Sequence, residues 1–491
     1  MNRLWLCFVV VFPMIAGLLV PWVHRKFPGY LRIYLGLGVL FNSVLVWLLL
    51  FHRPETGITL FYFTGNLTIA FELDGLGSVF AGLVSFLWPL ATLYSFEYMT
   101  KEEHEDIFFM FYTITYGVTL GIALADNILT MYCFYELLTL VTVPLVMHTL
   151  TREAILASRK YLCYSIGGAA FSFIGMIFII VYGNTIDFVM GGVLDPGKIG
   201  DKGNVLLLVY VMAFLGFGVK AAICPFNSWL PQAGVAPTPV TALLHAVAVV
   251  KSGAFATMRI TYYSFGTEFI RGSFAQYLLM AMVMFTIVYG CSMALKETHI
   301  KRRLAYSTIS NLSYILFGVV IMTPLGFGAA LTHMVCHAFM KICSFFCAGA
   351  IMHQTGRHYI HELDGFARKM PKVFAIFTVS AVALMGAPGL CGFISKWNLA
   401  AAAIDSGNIL AWFGIGCLLV SALLTAMYML SIVVRGYFPS RDFDYDSIAD
   451  VEDPGWMMLL PLGIFAVMMV VLGIHSQPFV DLFMRVAQGL F

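Results

Sequence analysis

The chain has 491 residues, 60% of them apolar and only 11% charged, with a mean hydropathy of +0.88 and a net charge of +2. That balance excludes an ordinary water-soluble domain and points to an all-α protein crossing a bilayer many times. The charge gives no reason to invoke nucleic acid. The ten cysteines form no CxxC pair and read as small buried apolar groups, against iron–sulfur or zinc chemistry.

Apolar runs of about 20 residues, enough to span a membrane, fall at 4–23, 30–51, 75–96, 107–125, 127–149, 161–182, 204–225, 240–262, 275–295, 304–322, 326–352, 373–400, 409–434 and 457–475. These fourteen spans are too long and too continuously apolar for barrel strands, so helices are predicted. Span 1 follows a single arginine and precedes no small-residue cleavage pattern, so it is expected to remain in the mature chain. Asp74 and Glu97 mark the two ends of span 3, where capping and headgroup contact explain them. KEEHED at 101–106 is a solvated turn.

Span 5 carries Glu136 deep in apolar sequence. A lone carboxylate there takes up a proton, so Glu136 is predicted to be either protonated or paired with a buried lysine. Span 7 brings Lys220 five residues before Pro225, and WLPQAGVAPTP after it cannot be regular helix because each proline removes a donor. The freed backbone groups need water or side chains, which predicts a polar cavity. Span 8 follows with His245 and Lys251, about 9 Å apart along a regular helix. A lysine near the bilayer centre costs roughly 2.5 to 3.5 kcal/mol on insertion scales, so two of them beside a broken backbone point to an ion path.

Span 11 sets His333, His337 and Lys341 at i, i+4 and i+8, on one helical stripe. A proton relay, a metal pair and hydrogen-bonded packing all fit that spacing; no glutamate follows the first histidine as in a zinc-binding helix. Span 12 is broken by Gly386, Pro388 and Gly389, with Lys396 after the break. A lysine-bearing interrupted helix thus recurs five spans after the first, the pattern of inverted repeats. The predicted organisation is spans 1–3 (1–106), a first repeat of spans 4–8 (107–262), a second of spans 9–13 (275–434), and an acidic loop with span 14 (435–491). Asp442, Asp444, Asp446, Asp450 and Asp453 resemble a calcium loop in spacing, but Ser447 stands where glycine is needed and the terminal glutamate is missing, so an acidic interface or solvated loop is expected.

Loops after odd-numbered spans hold seventeen Lys and Arg; the other loops and the termini hold six. This bias places the odd loops in the cytoplasm and both termini on the outer face.

Several stretches together resemble the antiporter-like, proton-translocating subunits shared by Mrp-type Na+/H+ antiporters, membrane-bound hydrogenases and complex I: LDGLGSVFAGLV, the Tyr135-Glu136 helix, VKAAICPFNSWLPQAGVAPTPVTALLH, VKSGAFATMR, KRRLAYSTISNLSYILFG, HAFMKICSFFCAGAI and GAPGLCGFISKW. The resemblance covers most of the chain. It implies a chain of protonatable groups across the membrane middle, falling here on Glu136, Lys220, His245, Lys251, His333, His337, Lys341 and Lys396. It also implies a place in the cell (inner) membrane, other integral membrane subunits and lipid as partners, H+ as the ion carried with Na+ exchange as an open alternative, and a parent complex that is a redox-driven oxidoreductase or an antiporter. No catalytic or cofactor site is expected in this chain. Where the family usually reads PFHxWLPDAH this chain has Asn227, Gln232 and Gly234, so proton uptake through those side chains needs another route. Lysine at 396 resembles the Mrp and hydrogenase branches, and the length fits a single module without a long lateral helix. Two rival readings are a structural membrane anchor that conducts nothing, in which the buried lysines tolerate leucine, and a quinone-reacting enzyme, for which no aromatic and histidine site stands out at a helix end.

Overall fold

A computed structural model describes residues 3–65, 67–440 and 443–490. Among them, thirteen helices are long and apolar enough to cross a membrane. In chain order the principal helices are α1 (Leu4–Lys26), α2 (Leu31–Phe51), α3 (Gly75–Tyr98), α4 (Glu105–Ala123), α5 (Ile128–Val146), α6 (Arg152–Tyr182), α7 (Gly203–Gly218) and α8 (Val249–Met258). They continue with α9 (Phe274–Lys296), α10 (Ile300–Ile321), α11 (Pro324–Thr355), α12 (Pro371–Met385), α13 (Cys391–Asp405), α14 (Ile409–Tyr437), α15 (Trp456–Ile474) and α16 (Gln477–Ala487). Predicted span 12 is divided into α12 and α13. Predicted span 7 ends early, at Gly218, and the chain from there to Val235 runs through turns and single helical turns.

Three features depart from the sequence-based expectations. The connection between α2 and α3 is an antiparallel hairpin, β1 (Ile58–Thr64) with β2 (Leu67–Phe71), whose Thr, Phe and Tyr residues favour extended backbone and whose turn uses Gly65 at φ +54°. Span 8 is not one regular helix: Leu243–Val247 and Arg259–Phe265 are π-helical on either side of α8. Cysteines are not uniformly buried. Cys133 and Cys163 are exposed on the outer faces of α5 and α6, because helix phase, not residue type, decides which side of a span faces outward.

The centre of the bundle is formed by α10, α11 and the irregular stretch around α8, which are almost wholly enclosed, while α1, α2, α14 and α15 keep apolar side chains on the outside. Close backbone crossings hold it together. A Cβ on Gly216 of α7 would meet the Gly168 carbonyl of α6 at 2.6 Å, and one on Gly168 would meet the Gly216 carbonyl at 2.7 Å, the close small-residue contact that replaces hydrophobic driving force in lipid.

Carboxylates tie helix starts together at both ends. Asp74 caps α3 through the Gly77 N–H and also holds Arg259 in a two-pronged ion pair at 2.6 Å. Glu97, at the far end of α3, accepts from the Gly455 and Met458 N–H groups that begin α15. Of the acidic loop, Asp453 accepts from the Lys372 and Val373 N–H groups at the start of α12, so part of the loop serves as a cap; Asp442 lies outside the described residues.

At the hairpin end of the bundle Asp126 sits between α4 and α5. Burial, a hydrogen bond with Glu72 and the charges of Glu72 and Asp187 push its carboxyl up to about 7, against the pull of Arg259. The folded protein therefore holds this proton at pH values where the unfolded chain has released it. The resulting stabilisation is fully present below pH 3.8 and is lost as pH rises to about 7. Asp126→Asn is expected to leave thermal stability unchanged near pH 4 and to raise it at pH 8, read from the unfolding midpoint in detergent at the two pH values.

Candidate functional site

Lys220 sits just past the end of α7, and Lys396, within α13, reaches back to the end of α12. Lys220 lies in the turn just beyond α7, not inside a helix as its apolar surroundings predict, and Ala222, two residues on, takes a left-handed φ of +55° that a residue with a Cβ adopts only under constraint. The Lys220 side chain is buried; its Nζ donates to the Tyr135 carbonyl of α5 and stands 3.4 Å from the centre of the Tyr135 ring. Glu136, the next residue, is half-buried, and its Oε1 is enclosed without a hydrogen-bond partner. The predicted carboxylate–lysine pair is thus apart in this structure: Glu136 and Lys220 make no ion pair within 4.0 Å, although each lies within electrostatic reach of the other.

Lys220 is backed by α8. A Cβ on Gly253 would meet the Ala221 nitrogen at 2.5 Å and the Lys220 carbonyl carbon at 2.8 Å, so the glycine lets the helix bearing Lys251 lie directly on the turn bearing Lys220. Lys251 is buried and does not turn back to His245. Its Nζ lies 2.5 Å from Nδ1 of His337 on α11. One proton shared by these atoms can rest on either: the ammonium donates to a neutral imidazole, or the imidazolium donates to a neutral amine.

From His337 the line continues along α11. His333, one turn earlier, stacks its ring 5.8 Å from that of His337, and its Nδ1 is 2.9 Å from Ser395 Oγ on α13. Lys396 follows Ser395. Its Nζ donates to the Leu384 and Met385 carbonyls at 2.7 and 3.0 Å, two of the acceptors left free where α12 ends. The negative end of the α12 dipole favours charge there. Gly386, at φ +93°, makes the approach possible: a Cβ at this position would come within 3.0 Å of Lys396 Cδ.

Lys341, one turn beyond His337, bonds the Leu304 carbonyl at 3.2 Å and Ser307 Oγ at 2.7 Å on α10. His245 stands on the first π-helical segment, ring against Phe345 at 4.7 Å, with Lys341 and Lys301 in electrostatic reach. Both of its ring nitrogens are enclosed without a protein partner, as are Nε2 of His333 and of His337. Buried polar atoms of this kind are normally satisfied by water. The structure therefore brings Lys251, His337, His333 and Lys396 into one line, sets Lys220 against its near end, and leaves His245 beside it with no direct contact. No group of three or more His, Cys, Asp or Glu able to hold a metal occurs among the described residues.

A family model described as NADH:quinone oxidoreductase/Mrp antiporter, TM, matches residues 125–425. The chain belongs to this family. All eight predicted ionisable residues fall inside the match, and a second family model, for the N-terminus of complex I chain 5, matches residues 62–109. Among relatives of this antiporter-like family, NAD(P)H-quinone oxidoreductase chain 4 1 of Picosynechococcus sp. is 29% identical over 465 residues, covering 91% of this chain and 84% of that protein. Na(+)/H(+) antiporter subunit A1 of Staphylococcus haemolyticus is 28% identical over 495 residues, covering 95% of this chain but 60% of that longer protein. A chain in the structure of the Mrp complex from Dietzia sp. superposes with a TM-score of 0.84 at 25% identity, over 98% of this chain and 52% of the other. A chain of an archaeal membrane-bound sulfane sulfur reductase gives a TM-score of 0.85 at 22% identity, a likeness of fold, over 100% and 98%.

Several contributors escaped the sequence reading. Ser395 was masked by the more conspicuous Lys396 beside it, though the SK pair after a helix break was the available signal. The Tyr135 carbonyl carried none, since any residue there supplies a carbonyl. Arg259 is a third buried cation in the same stretch as Lys220 and Lys251, and its burial among Phe188, Phe255 and Tyr263, each about 5 Å away, is what Asp74 answers.

Proposed function

We propose that this chain is a proton-translocating membrane subunit of a multisubunit ion-pumping complex of the Mrp, membrane-bound hydrogenase or complex I kind. The observation that carries the reading is the line from Lys251 on α8 through His337 and His333 to Ser395 and Lys396 at the α12–α13 break, which crosses the interior of the bundle. A structural anchor has no use for it.

In this mechanism Glu136 and Lys220 form the switch. When the carboxylate closes on the ammonium, the lysine keeps its proton. When they stand apart, as here, burial favours the neutral amine and the proton moves towards Lys251. The shared Lys251–His337 proton then passes to His333 by ring rotation or water, and onward to Lys396, where the end of α12 receives charge. Energy for the cycle comes from partner subunits that cover the exposed outer faces. The basic loops lie in the cytoplasm, which places the hairpin and both termini on the outer side of the cell (inner) membrane. Residues 107–262 and 275–434 act as inverted halves, each supplying one broken helix and its lysine. Na+ exchange belongs to the same reading as the counter-flow of an antiporter.

The anchor reading and this one part at Lys396→Leu. Translocation requires a titratable group where α12 ends, so the variant in reconstituted vesicles is expected to lose pH-dye-detected proton movement by roughly 10²-fold, the range for loss of a positioned acid–base group. An anchor retains the partners' activity and loses nothing. Normal proton movement by assembled Lys396→Leu complexes sinks the proposal.

A further inference from the structure

Lys341 touches a seam of hydroxyl groups that the line above does not use. Its Nζ is 2.7 Å from Ser307 Oγ, and the Tyr428 hydroxyl is 2.6 Å from the same oxygen. Tyr428 reaches Thr425 Oγ1 at 3.1 Å; Thr425 lies 3.7 Å from the Cys291 sulfur; and Cys291 lies 2.8 Å from Ser421 Oγ. Ser310 closes the group, 3.0 Å from both Cys291 Sγ and Ser421 Oγ. These six side chains come from three helices, α9, α10 and α14, and every one is at most 1% exposed.

Transmembrane helices often use serine and threonine as glue, each hydroxyl returned to its own helix's carbonyl four residues back. Thr425 does this, bonding the Ser421 carbonyl at 2.7 Å. The seam does more. Tyr428 directs its hydroxyl to side-chain oxygens of two helices, the series begins on an ammonium, and its far end reaches Tyr314, whose ring lies near a second one. The Ser421 side chain faces the Tyr314 hydroxyl, the Lys396 Nζ lies 5.5 Å from the centre of the Tyr314 ring, and Cys291 is in electrostatic reach of both Lys341 and Lys396. A packing seam needs no lysine at either end.

We propose that Ser307, Tyr428, Thr425, Cys291 and Ser421 form a proton wire through which Lys341 discharges towards Lys396. With the Tyr428 hydroxyl turned from Ser307 onto Thr425, and the Thr425 hydroxyl turned from the Ser421 carbonyl onto Cys291, Ser307 accepts a proton from the Lys341 ammonium as its own passes to Tyr428. Each following hydroxyl, and the Cys291 thiol, accepts one proton and gives one up in the same movement. The last proton reaches the Lys396 amine by way of Tyr314 and one bridging water. Lys341 ends as a neutral amine, Lys396 as an ammonium, and every intervening group is unchanged in charge and composition. Rotation about the C–O and C–S bonds resets the wire. Turnover requires this discharge, because Lys341, one turn from His337, takes up the next proton only after its own has left.

The inference rests on the translocation reading, so the test includes Lys220→Ala as an arm that reports on that reading alone. The whole complex is purified by a tag on this chain, checked for its full subunit set, reconstituted, and assayed for proton movement with a pH dye. Tyr428→Phe removes one oxygen and keeps the ring; Lys341→Met removes the ammonium at similar length. Each is expected to slow translocation about tenfold, and the double variant is to be no slower than the slower single, because groups in one wire fail as a unit. Cys291→Ala is expected to match Tyr428→Phe, and Cys291→Ser to recover most of the rate. If Lys341→Met does not assemble, Ser307→Ala takes its place in the cycle. Wild-type rates for Tyr428→Phe, or losses that multiply in the double variant, overturn the wire. If Lys220→Ala also pumps normally, the failure lies with the translocation reading itself.

Discussion

Lys220→Ala is expected to stop proton movement, by roughly 10²-fold or more, in complexes that assemble with their full subunit set. In the proposed mechanism the ammonium gains and loses a proton, and the atoms around Nζ, the Tyr135 carbonyl and ring, cannot stand in for it. Glu136→Gln is to fall in the same direction with a smaller loss, since it removes the closed state of the switch and leaves the lysine. The readout is the initial rate of dye quenching in vesicles under the complex's own driving reaction. A Lys220→Ala rate equal to that of the unmodified complex removes this residue from the mechanism. Loss of stability is not the expected cause, because deleting a buried lysine also removes its desolvation cost.

The largest effect on stability is expected from Asp74→Asn. Arg259 is buried with three aromatic rings around its guanidinium and a single carboxylate bonded to it in two places. Asparagine keeps an acceptor for the Gly77 N–H, so the cap of α3 survives, but the guanidinium loses the carboxylate bonded to it. Leaving one partner of a buried pair uncompensated costs roughly 3 to 5 kcal/mol. The hairpin end of the bundle, where α3 meets the chain that follows α8, is to open first. Heating the purified complex in detergent and following its folded fraction measures this. A midpoint unchanged from wild type shows that the pair is not holding that end together.

Much of this architecture was readable from residue types whose placement in lipid is costly. Lysines at 220, 251 and 396, the prolines between 225 and 239, and the break at Gly386, Pro388 and Gly389 all announced themselves because apolar surroundings make them expensive, and the structure puts each lysine at a helix end or facing a histidine. The His333, His337 and Lys341 stripe followed from helical spacing alone. What the sequence withheld is mostly contact at long range. Lys251 and His337 are 86 residues apart, and no local pattern selects that pairing over the nearer His245. The π-helical turns around α8 contain no proline and no glycine signal at His245, so a regular helix was the natural expectation there. Glu136 illustrates a different limit: apolar surroundings left a protonated carboxyl and a lysine pair both open, and the structure holds a state in which Lys220 bonds a backbone carbonyl. Exposure of Cys133 and Cys163 depends on how each helix is rotated, which apolar composition on all sides does not encode.

The replacement of expected titratable groups by Asn227, Gln232 and Gly234 also finds a physical setting. Gly234 lies against Lys301, whose Cβ is 3.9 Å from where a Gly234 Cβ would stand. The buried Lys301 ammonium bonds the Ala236 carbonyl at 2.8 Å in the same broken segment. A cation thus occupies the region where side chains at 227, 232 and 234 offer none. At the adjoining loop, burial pushes the Glu102 carboxyl up while the Lys301 charge opposes the shift.

The central claim is that the two halves are joined through one imidazole. Among the predicted residues, His337 is the group that contacts Lys251 directly and stacks on His333, so its removal leaves a gap that no other side chain in the line spans. The measurement is dye-detected proton movement by the reconstituted complex carrying His337→Ala, with subunit composition checked beside wild type. The account predicts a rate at least about tenfold lower in a fully assembled complex, with partner activity before the membrane step retained. Proton movement at the wild-type rate in that variant would contradict it.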